Sequence, residues 1–147
     1  MALREGACRF GLWWVHVVWS KETVYSLRFA REGIEGEVPA QVLSFLNGRS
    51  CRLGDLSSVA TVDGAPYAAI YRAVRTIPCG ETRTYAEVGS QAGTSPRVVG
   101  IAMRRNPTPL VIPCHRVVAA NGIGGFTPDI SLKTDLLELE KNILSHI

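Results

Sequence analysis

The sequence predicts an α+β fold, with a small α/β unit over residues 1–60 and a mostly helical unit over residues 61–147. Three observations predict it. Residues 12–29 are aromatic, β-branched and partly alternating, which is strand chemistry. Residues 57–64 turn to Ser, Thr, Asp and Gly, the composition of a linker. Beyond them, Tyr67, Ile70, Tyr71, Val74 and Ile77 recur at helical spacing. A chain of 147 residues is long enough to bury a core without disulfide support.

Taken in order, Leu12 to Trp19 and Thr23 to Phe29 read as two antiparallel strands joined by Ser20-Lys21-Glu22. Pro39 opens a short helix carrying Val42, Leu43, Phe45 and Leu46, and Asn47-Gly48 closes it. Pro66 is expected to begin the next helix, which stops at Pro78. Thr84-Tyr85-Ala86-Glu87 has the form of a capping box, and the helix it starts should end at Gly93. Ser95 is a good N-cap and Pro96 a good first residue for a following helix that buries Val99, Ala102 and Met103 and ends at Asn106-Pro107. Two short helices joined by Gly93-Thr94 make a helix-turn-helix. Gly122, Gly124 and Gly125 predict a tight loop, and Leu132, Leu136, Leu139 and Ile143 a closing amphipathic helix.

Composition excludes several classes. The longest apolar run, Leu12 to Trp19, is interrupted by His16 and is too short to span a bilayer. The start, Met1-Ala2-Leu3-Arg4-Glu5-Gly6, lacks the apolar core and cleavage site of a secretory signal, so a cytoplasmic setting is expected. Cys8, Cys51, Cys79 and Cys114 form no C-x-x-C pair, and the default there is free thiols for the first three; a long-range site of Cys8, His16 and Cys51 stays open. The net charge is only +3, but residues 72–116 hold seven arginines against Glu81 and Glu87. Arginine in place of lysine suits contact with phosphates and bases, and a solvated surface would look the same.

Reactive side chains crowd together at Ile112-Pro113-Cys114-His115-Arg116-Val117. If Cys114 opens a helical turn, the helix N-terminus and Arg116 would favour its thiolate. His115 is the obvious base, although adjacent residues do not face each other on a helix, so a link through water is favoured over direct contact. The alternative is a buried thiol beside a core histidine.

Pro113-Cys114-His115-Arg116-Val117, preceded by Asn106-Pro107 and followed by Asn121-Gly122-Ile123-Gly124-Gly125-Phe126, resembles the O6-alkylguanine-DNA alkyltransferase family. The match runs from about Tyr67 to Lys141 and includes Ile77 to Tyr85, Arg97-Val98-Val99-Gly100 and Leu136 to Glu140. It implies a ribonuclease-H-like amino-terminal domain and a winged helix-turn-helix-like carboxyl-terminal domain that binds DNA and accepts the alkyl group. The first 60 residues resemble that amino-terminal domain only in outline.

The resemblance implies that Cys114 takes the alkyl group of O6-alkylguanine once and irreversibly, with O4-alkylthymine a second candidate substrate. His115 would deprotonate Cys114 through a water and Glu140 would orient His115, although a lone helix glutamate also fits a solvated charge. Tyr85 would give a proton to guanine N3, or simply pack in the core. Asn106 would hold the hinge between recognition helix and active-site loop as well as capping the helix.

The resemblance also makes Arg97 the side chain that fills the stack behind a flipped nucleotide, and Gly100 the residue that lets the helix approach closely; Thr94, Ser95 and Arg104 complete the DNA contacts. Met103, Pro109, Val117, Phe126 and Thr127 would line the base pocket, though the apolar ones would equally serve as core. The implied partner is alkylated double-stranded DNA, bound by a monomer through the minor groove. No metal or cofactor is implied.

Two features depart from the pattern or add to it. Asp129 stands where many family members carry glycine. Aspartate tolerates left-handed backbone, so the loop is expected to keep its shape, and the change bears on acceptance of bulky alkyl groups. Cys79 is a second thiol in the matched region and reads as structural.

Three other readings compete. A lesion-binding module without transfer would carry tryptophan in place of Cys114. A plain DNA-binding regulator would leave the 113–117 and 121–126 matches unexplained. A cysteine hydrolase would be expected to show a different cysteine signature.

Overall fold

The computed structural model describes residues 2–146. Strands β1 (Arg4–Phe10), β2 (Trp13–Ser20) and β3 (Thr23–Ala30) form an antiparallel meander. β2 buries Trp13, Val15, Val17 and Trp19 on one face, as its alternation requires. β1 carries no such signal because it is an edge strand with three charged residues among its seven, Arg4-Glu5-Gly6-Ala7-Cys8-Arg9-Phe10; backbone pairing to β2 forms it. Gly6 is required there, since a Cβ would fall 1.7 Å from Glu37 O where the 36–37 segment crosses β1.

Helix α1 (Ala40–Leu46) follows Pro39 and buries Val42, Phe45 and Leu46 on the sheet. The expected linker is only partly one: Ser57–Ser58 is strand β4, parallel to β3, and Val59–Thr61 is a 3-10 turn. Ser58 is buried because its hydroxyl meets Thr108 Oγ1 at 2.7 Å.

Helix α2 (Ala68–Arg75) starts two residues after Pro66, with Tyr67 at φ 60° as its cap, and stops before Ile77. Tyr71, on its buried face, donates to Ala102 O at 2.8 Å. Strand β5 (Arg83–Thr84) leads into α3 (Tyr85–Ala92), where Thr84 and Glu87 form the capping box. Gly93 ends α3 in left-handed conformation, and α4 (Pro96–Arg104) begins with Ser95 accepting from Val98 N–H. Gly89 lets this helix-turn-helix close, because a Cβ there would sit 2.7 Å from Thr94 O. Strand β6 (Val117–Val118) pairs in parallel with β5, tying the entry of α3 to the segment after Cys114. Helix α5 (Ile130–Ser145) closes the chain.

Two hydrophobic clusters result. One unites the sheet, α1, Leu110, Val111 and the Leu132, Leu136 and Ile143 face of α5; the other unites α2, α3 and α4 with Ile112 and Val117. Each fully buried α5 side chain contributes roughly 1.5–3 kcal/mol, so the last helix is held on the amino-terminal sheet while its other side reaches the segment after Cys114.

Three expectations are corrected. Cys51 and Cys79 are disulfide-bonded, with Cα atoms 6.1 Å apart, so only Cys8 and Cys114 are free thiols. Twenty-eight residues separate them, and only the fold brings the turn after α1 to the turn after α2. Cys51 is thereby removed from any site with Cys8 and His16, and His16 Nε2 is instead hydrogen-bonded to Glu32 O at 2.8 Å. Asp129 is extended (φ −154°), not left-handed: it caps α5 by accepting from Ser131 N–H at 2.8 Å. Among the described residues no helix is long and apolar enough to cross a membrane.

Candidate active site

Cys114 opens a single 3-10 turn, Cys114–Arg116, and is 7% exposed at the wall of a cleft of about 960 Å³. Burial pushes its thiol up to about 11, while the Asn106 amide, the Lys133 ammonium and the backbone N–H groups of Cys114 and His115 draw it back. At neutral pH it is therefore a protonated thiol.

Next to Cys114 in the chain, His115 belongs to a buried cluster. His115 and Glu140 are fully buried, and His115 Nε2 lies 2.5 Å from Glu140 Oε2. Arg116 does not serve Cys114 as expected: its guanidinium forks onto Glu140 (Nε to both oxygens at 3.0 Å, Nη2 to Oε2 at 2.7 Å) and reaches Ile77 O. Gly80 N–H adds a bond to Glu140 Oε1 at 2.9 Å. Burial opposes ionisation of Glu140, but the bonds from His115 and Arg116 outweigh it and hold the carboxyl below its ordinary range. An ionised Glu140 keeps the proton on His115 Nε2, leaving Nδ1 as acceptor, and Nδ1 makes no hydrogen bond within the protein. Burial also lowers the pKa of His115, so the ring is neutral at physiological pH.

Asn106 bridges both sides of its turn, donating from Nδ2 to Ile112 O at 2.9 Å and accepting from Thr108 N–H at 3.0 Å. Tyr85, on the first turn of α3, lines the same cleft. Its phenol is raised by burial and then by the neighbouring Cys114, and drawn down by a hydrogen bond with the Gly125 backbone. Gly124 (φ 78°) gives it room, since a Cβ would come 3.0 Å from the Tyr85 hydroxyl.

Sequence reasoning missed Lys133. It is fully buried, donates to Val117 O at 2.7 Å and Gly125 O at 3.1 Å, and is lowered to about 8 by burial, against the pull of Cys114. The signal was its i, i+7 spacing to Glu140 on α5, hidden because a search for apolar stripes passes over charged positions.

Met103, Pro109, Phe126 and Thr127 line the cleft, and Phe126 packs its ring on Phe29. Val117 does not: it is wholly buried in the helical cluster, where its carbonyl serves Lys133. Leu27, Arg28 and Phe29 of β3, which sequence reasoning did not associate with the site, line it too.

Arg97, Gly100 and Arg104 of α4 also line the cleft. Most of the arginine-rich segment is committed internally: Arg72 pairs with Asp63, Arg83 with Glu81 and Arg116 with Glu140, while Arg75 holds Leu56 O and Arg105 the Tyr67 hydroxyl. Among the described residues Arg97, Arg104 and Arg28 form no ion pair. Ser95 is occupied as a cap, and the Thr94 backbone N–H donates to Gly89 O, both at the turn before α4.

Residues 65–142 match the family model of the 6-O-methylguanine DNA methyltransferase DNA-binding domain. The chain belongs to this family. Within the 6-O-methylguanine DNA methyltransferase family it is 49% identical over 75 residues to a methylated-DNA--protein-cysteine methyltransferase of Metallosphaera sedula, covering 51% of this chain and 48% of the relative. It is 51% identical over 71 residues to one of Saccharolobus solfataricus, covering 48% and 47%. The chain thus spans about half the length of the curated relatives it matches.

Solved structures extend the likeness over the amino-terminal half. The O6-methylguanine methyltransferase of Mycobacterium tuberculosis superposes with a TM-score of 0.75 at 26% identity, covering 95% of this chain and 93% of that one. The O6-methylguanine-DNA methyltransferase of Pyrococcus kodakaraensis gives 0.66 at 26%, covering 95% and 99%. The mixed α/β fold with its small sheet and five helices is thereby the fold of these methyltransferases.

Proposed function

We propose that the chain reverses alkylation damage directly, moving the alkyl group from O6 of guanine in double-stranded DNA onto Cys114 Sγ, once per protein molecule. The observation that carries this reading is a free thiol at the wall of the cleft, followed directly in the chain by a fully buried neutral histidine held by Glu140. His115 Nδ1 accepts the Cys114 proton through a water, the sulfur attacks the alkyl carbon, and the carbon–O6 bond breaks. Tyr85 supplies a proton at guanine N3, so a neutral base leaves. A thioether is a poor leaving group, which makes the product a dead end. The chemistry calls on no metal or cofactor.

We assign the recognition surface to α4, with the ribonuclease-H-like and winged helix-turn-helix-like descriptions applied to residues 1–60 and 61–147. The helix-turn-helix enters the minor groove, whose degenerate base pattern suits repair at any sequence. Arg97 fills the stack behind the extruded nucleotide, Arg104 and Arg28 meet phosphates, and Thr94 and Ser95 approach the backbone at the turn. Gly100 supports close approach, because a Cβ there would meet nothing of the protein nearer than Arg104 Nη1 at 3.8 Å. Met103, Pro109, Phe126 and Thr127 hold the flipped base, which costs a few kcal/mol to extrude and less when the lesion has weakened pairing. O4-alkylthymine fits the same chemistry as a second substrate. The protein acts as a monomer in the cytoplasm.

The test is nucleoside analysis of a duplex carrying one O6-methylguanine after incubation with the protein. Conversion of the lesion to guanine by the wild-type chain and not by Cys114→Ala supports the reading. An intact lesion recovered with tightly bound protein would instead indicate a lesion-binding module.

A further inference from the structure

The amino-terminal sheet reaches the reactive segment through specific bonds. The N–H of Leu27, on β3 beyond its short pairing with β4, donates to Pro107 O at 2.9 Å. Ser58 Oγ in β4 lies 2.7 Å from Thr108 Oγ1, with Ser58 1% and Thr108 0% exposed. Thr108 in turn donates its backbone N–H to Asn106 Oδ1 at 3.0 Å, and Asn106 Nδ2 donates to Ile112 O at 2.9 Å. The bonds run without interruption from β4, through Thr108, to the amide that faces Cys114.

Burying two hydroxyls gains little over burying two methyl groups of the same shape, since their mutual bond mainly offsets their desolvation. What the pair adds is direction. It fixes Thr108 on the sheet, and the Thr108 N–H selects which end of the Asn106 amide points where. A turned amide would present oxygen instead of N–H toward the sulfur and lose the bond to Ile112 O.

We propose that Thr108, anchored by Ser58, is a positioning residue for the transfer reaction, holding the Asn106 amide in the orientation that favours the Cys114 thiolate. The amino-terminal sheet is then part of the reactive apparatus and more than a scaffold. The inference rests on the alkyl-transfer reading. The other groups facing Cys114 are Lys133 from α5, Tyr85 from α3, Tyr71 from α2 and the adjacent His115; Arg116 and Glu140 offset each other. None touches the Thr108 hydroxyl, so a change in pH dependence on altering it reports on Asn106.

The experiment is single-turnover methyl transfer from an O6-methylguanine duplex, followed from mildly acidic to alkaline pH. Thr108→Val keeps shape and removes the hydroxyl, and Thr108→Ser restores it. Thr108→Val should slow transfer at neutral pH by about tenfold, the scale of one weakened hydrogen bond to a charged group. It should also move the midpoint of the rate profile upward and leave duplex affinity unchanged, and Thr108→Ser should return rate and midpoint to wild type. An unmoved midpoint in Thr108→Val, or failure of Thr108→Ser to rescue, overturns the proposal. Should Thr108→Val not fold, Ser58→Ala removes the same bond from the other side, with the same shift expected and an unmoved midpoint equally fatal. Absence of transfer by the wild-type chain would remove the alkyl-transfer reading and this inference with it, whereas wild-type transfer with an unchanged variant profile removes the inference alone.

Discussion

His115 and Glu140, twenty-five residues apart in sequence, meet with Nε2 2.5 Å from Oε2 and neither side chain exposed. The contact fixes the tautomer of the histidine, and Arg116 neutralises the carboxylate that does so. Nδ1 is thus left as the acceptor of the ring, with His115 and Glu140 fully buried and Arg116 nearly so.

The triad has a consequence for acid stability. His115 and Glu140 both have folded pKa values below their unfolded ones, so each contributes stability that is full above its unfolded pKa and lost as pH falls through the folded one. Stability measured by urea midpoint should therefore be flat near neutrality and decline from about pH 6.5 downward, then more steeply below about 4.3, the unperturbed values of the two groups. A midpoint that stays constant into strong acid would show that neither shift exists.

Lys133→Met is expected to lower both reactivity and stability. Methionine fills the buried volume and removes a desolvated charge, but Val117 O and Gly125 O lose their donor, at about 1–3 kcal/mol for a buried group left unpaired, and Cys114 loses a nearby positive charge. Alkylation of Cys114 by iodoacetamide at neutral pH should slow by about tenfold, one pKa unit of lost thiolate. An unchanged rate would mean that the Lys133 charge does not reach the sulfur.

Much of this arrangement was legible in the sequence, and what was not shares a physical cause. Thr84, Glu87, Gly93, Ser95 and Pro96 announce the helix-turn-helix because caps act on the backbone next to them. β1 was invisible because an edge strand needs pairing more than apolar alternation. Cys114 and His115 stand out as adjacent reactive side chains and Glu140 follows from the family resemblance; the His115–Glu140 contact, like the Cys51–Cys79 bond and the Ser58–Thr108 pair, joins residues distant in sequence. Arg116 was misread in the same way, since its charge beside Cys114 gave no hint that Glu140 takes it. Asp129 reads in the sequence through the glycine it replaces, whereas its side chain caps α5.

Arg97→Ala should weaken repair of duplex DNA far more than transfer from the free base. Arg97 makes no internal ion pair, so its loss leaves the fold intact, and the dependence of duplex affinity on salt should fall by about one counterion only if Arg97 also meets a phosphate. Equal losses on duplex and free O6-methylguanine, measured by single-turnover kinetics, would remove its role in holding the flipped state.

Gly100→Ala should act in opposite directions on folding and on binding. A methyl group there meets only the end of Arg104 at 3.8 Å, and alanine favours a helix interior by roughly 0.5–1 kcal/mol over glycine. The thermal midpoint should rise while duplex affinity falls. A variant that gains stability and binds duplex as well as wild type would show that α4 does not approach DNA closely at this point.

The most direct measurement of the central claim is intact-protein mass with peptide mapping after incubation with a large excess of O6-methylguanine duplex. Cys8, buried on β1 with its thiol raised by burial and then by Glu35, is the internal control. The account predicts a gain of one methyl group per chain, located on the Cys114 peptide and absent from Cys8, with reaction ceasing when every chain is modified. Continued loss of lesion beyond one equivalent, or a methyl group found anywhere but Cys114, would contradict it.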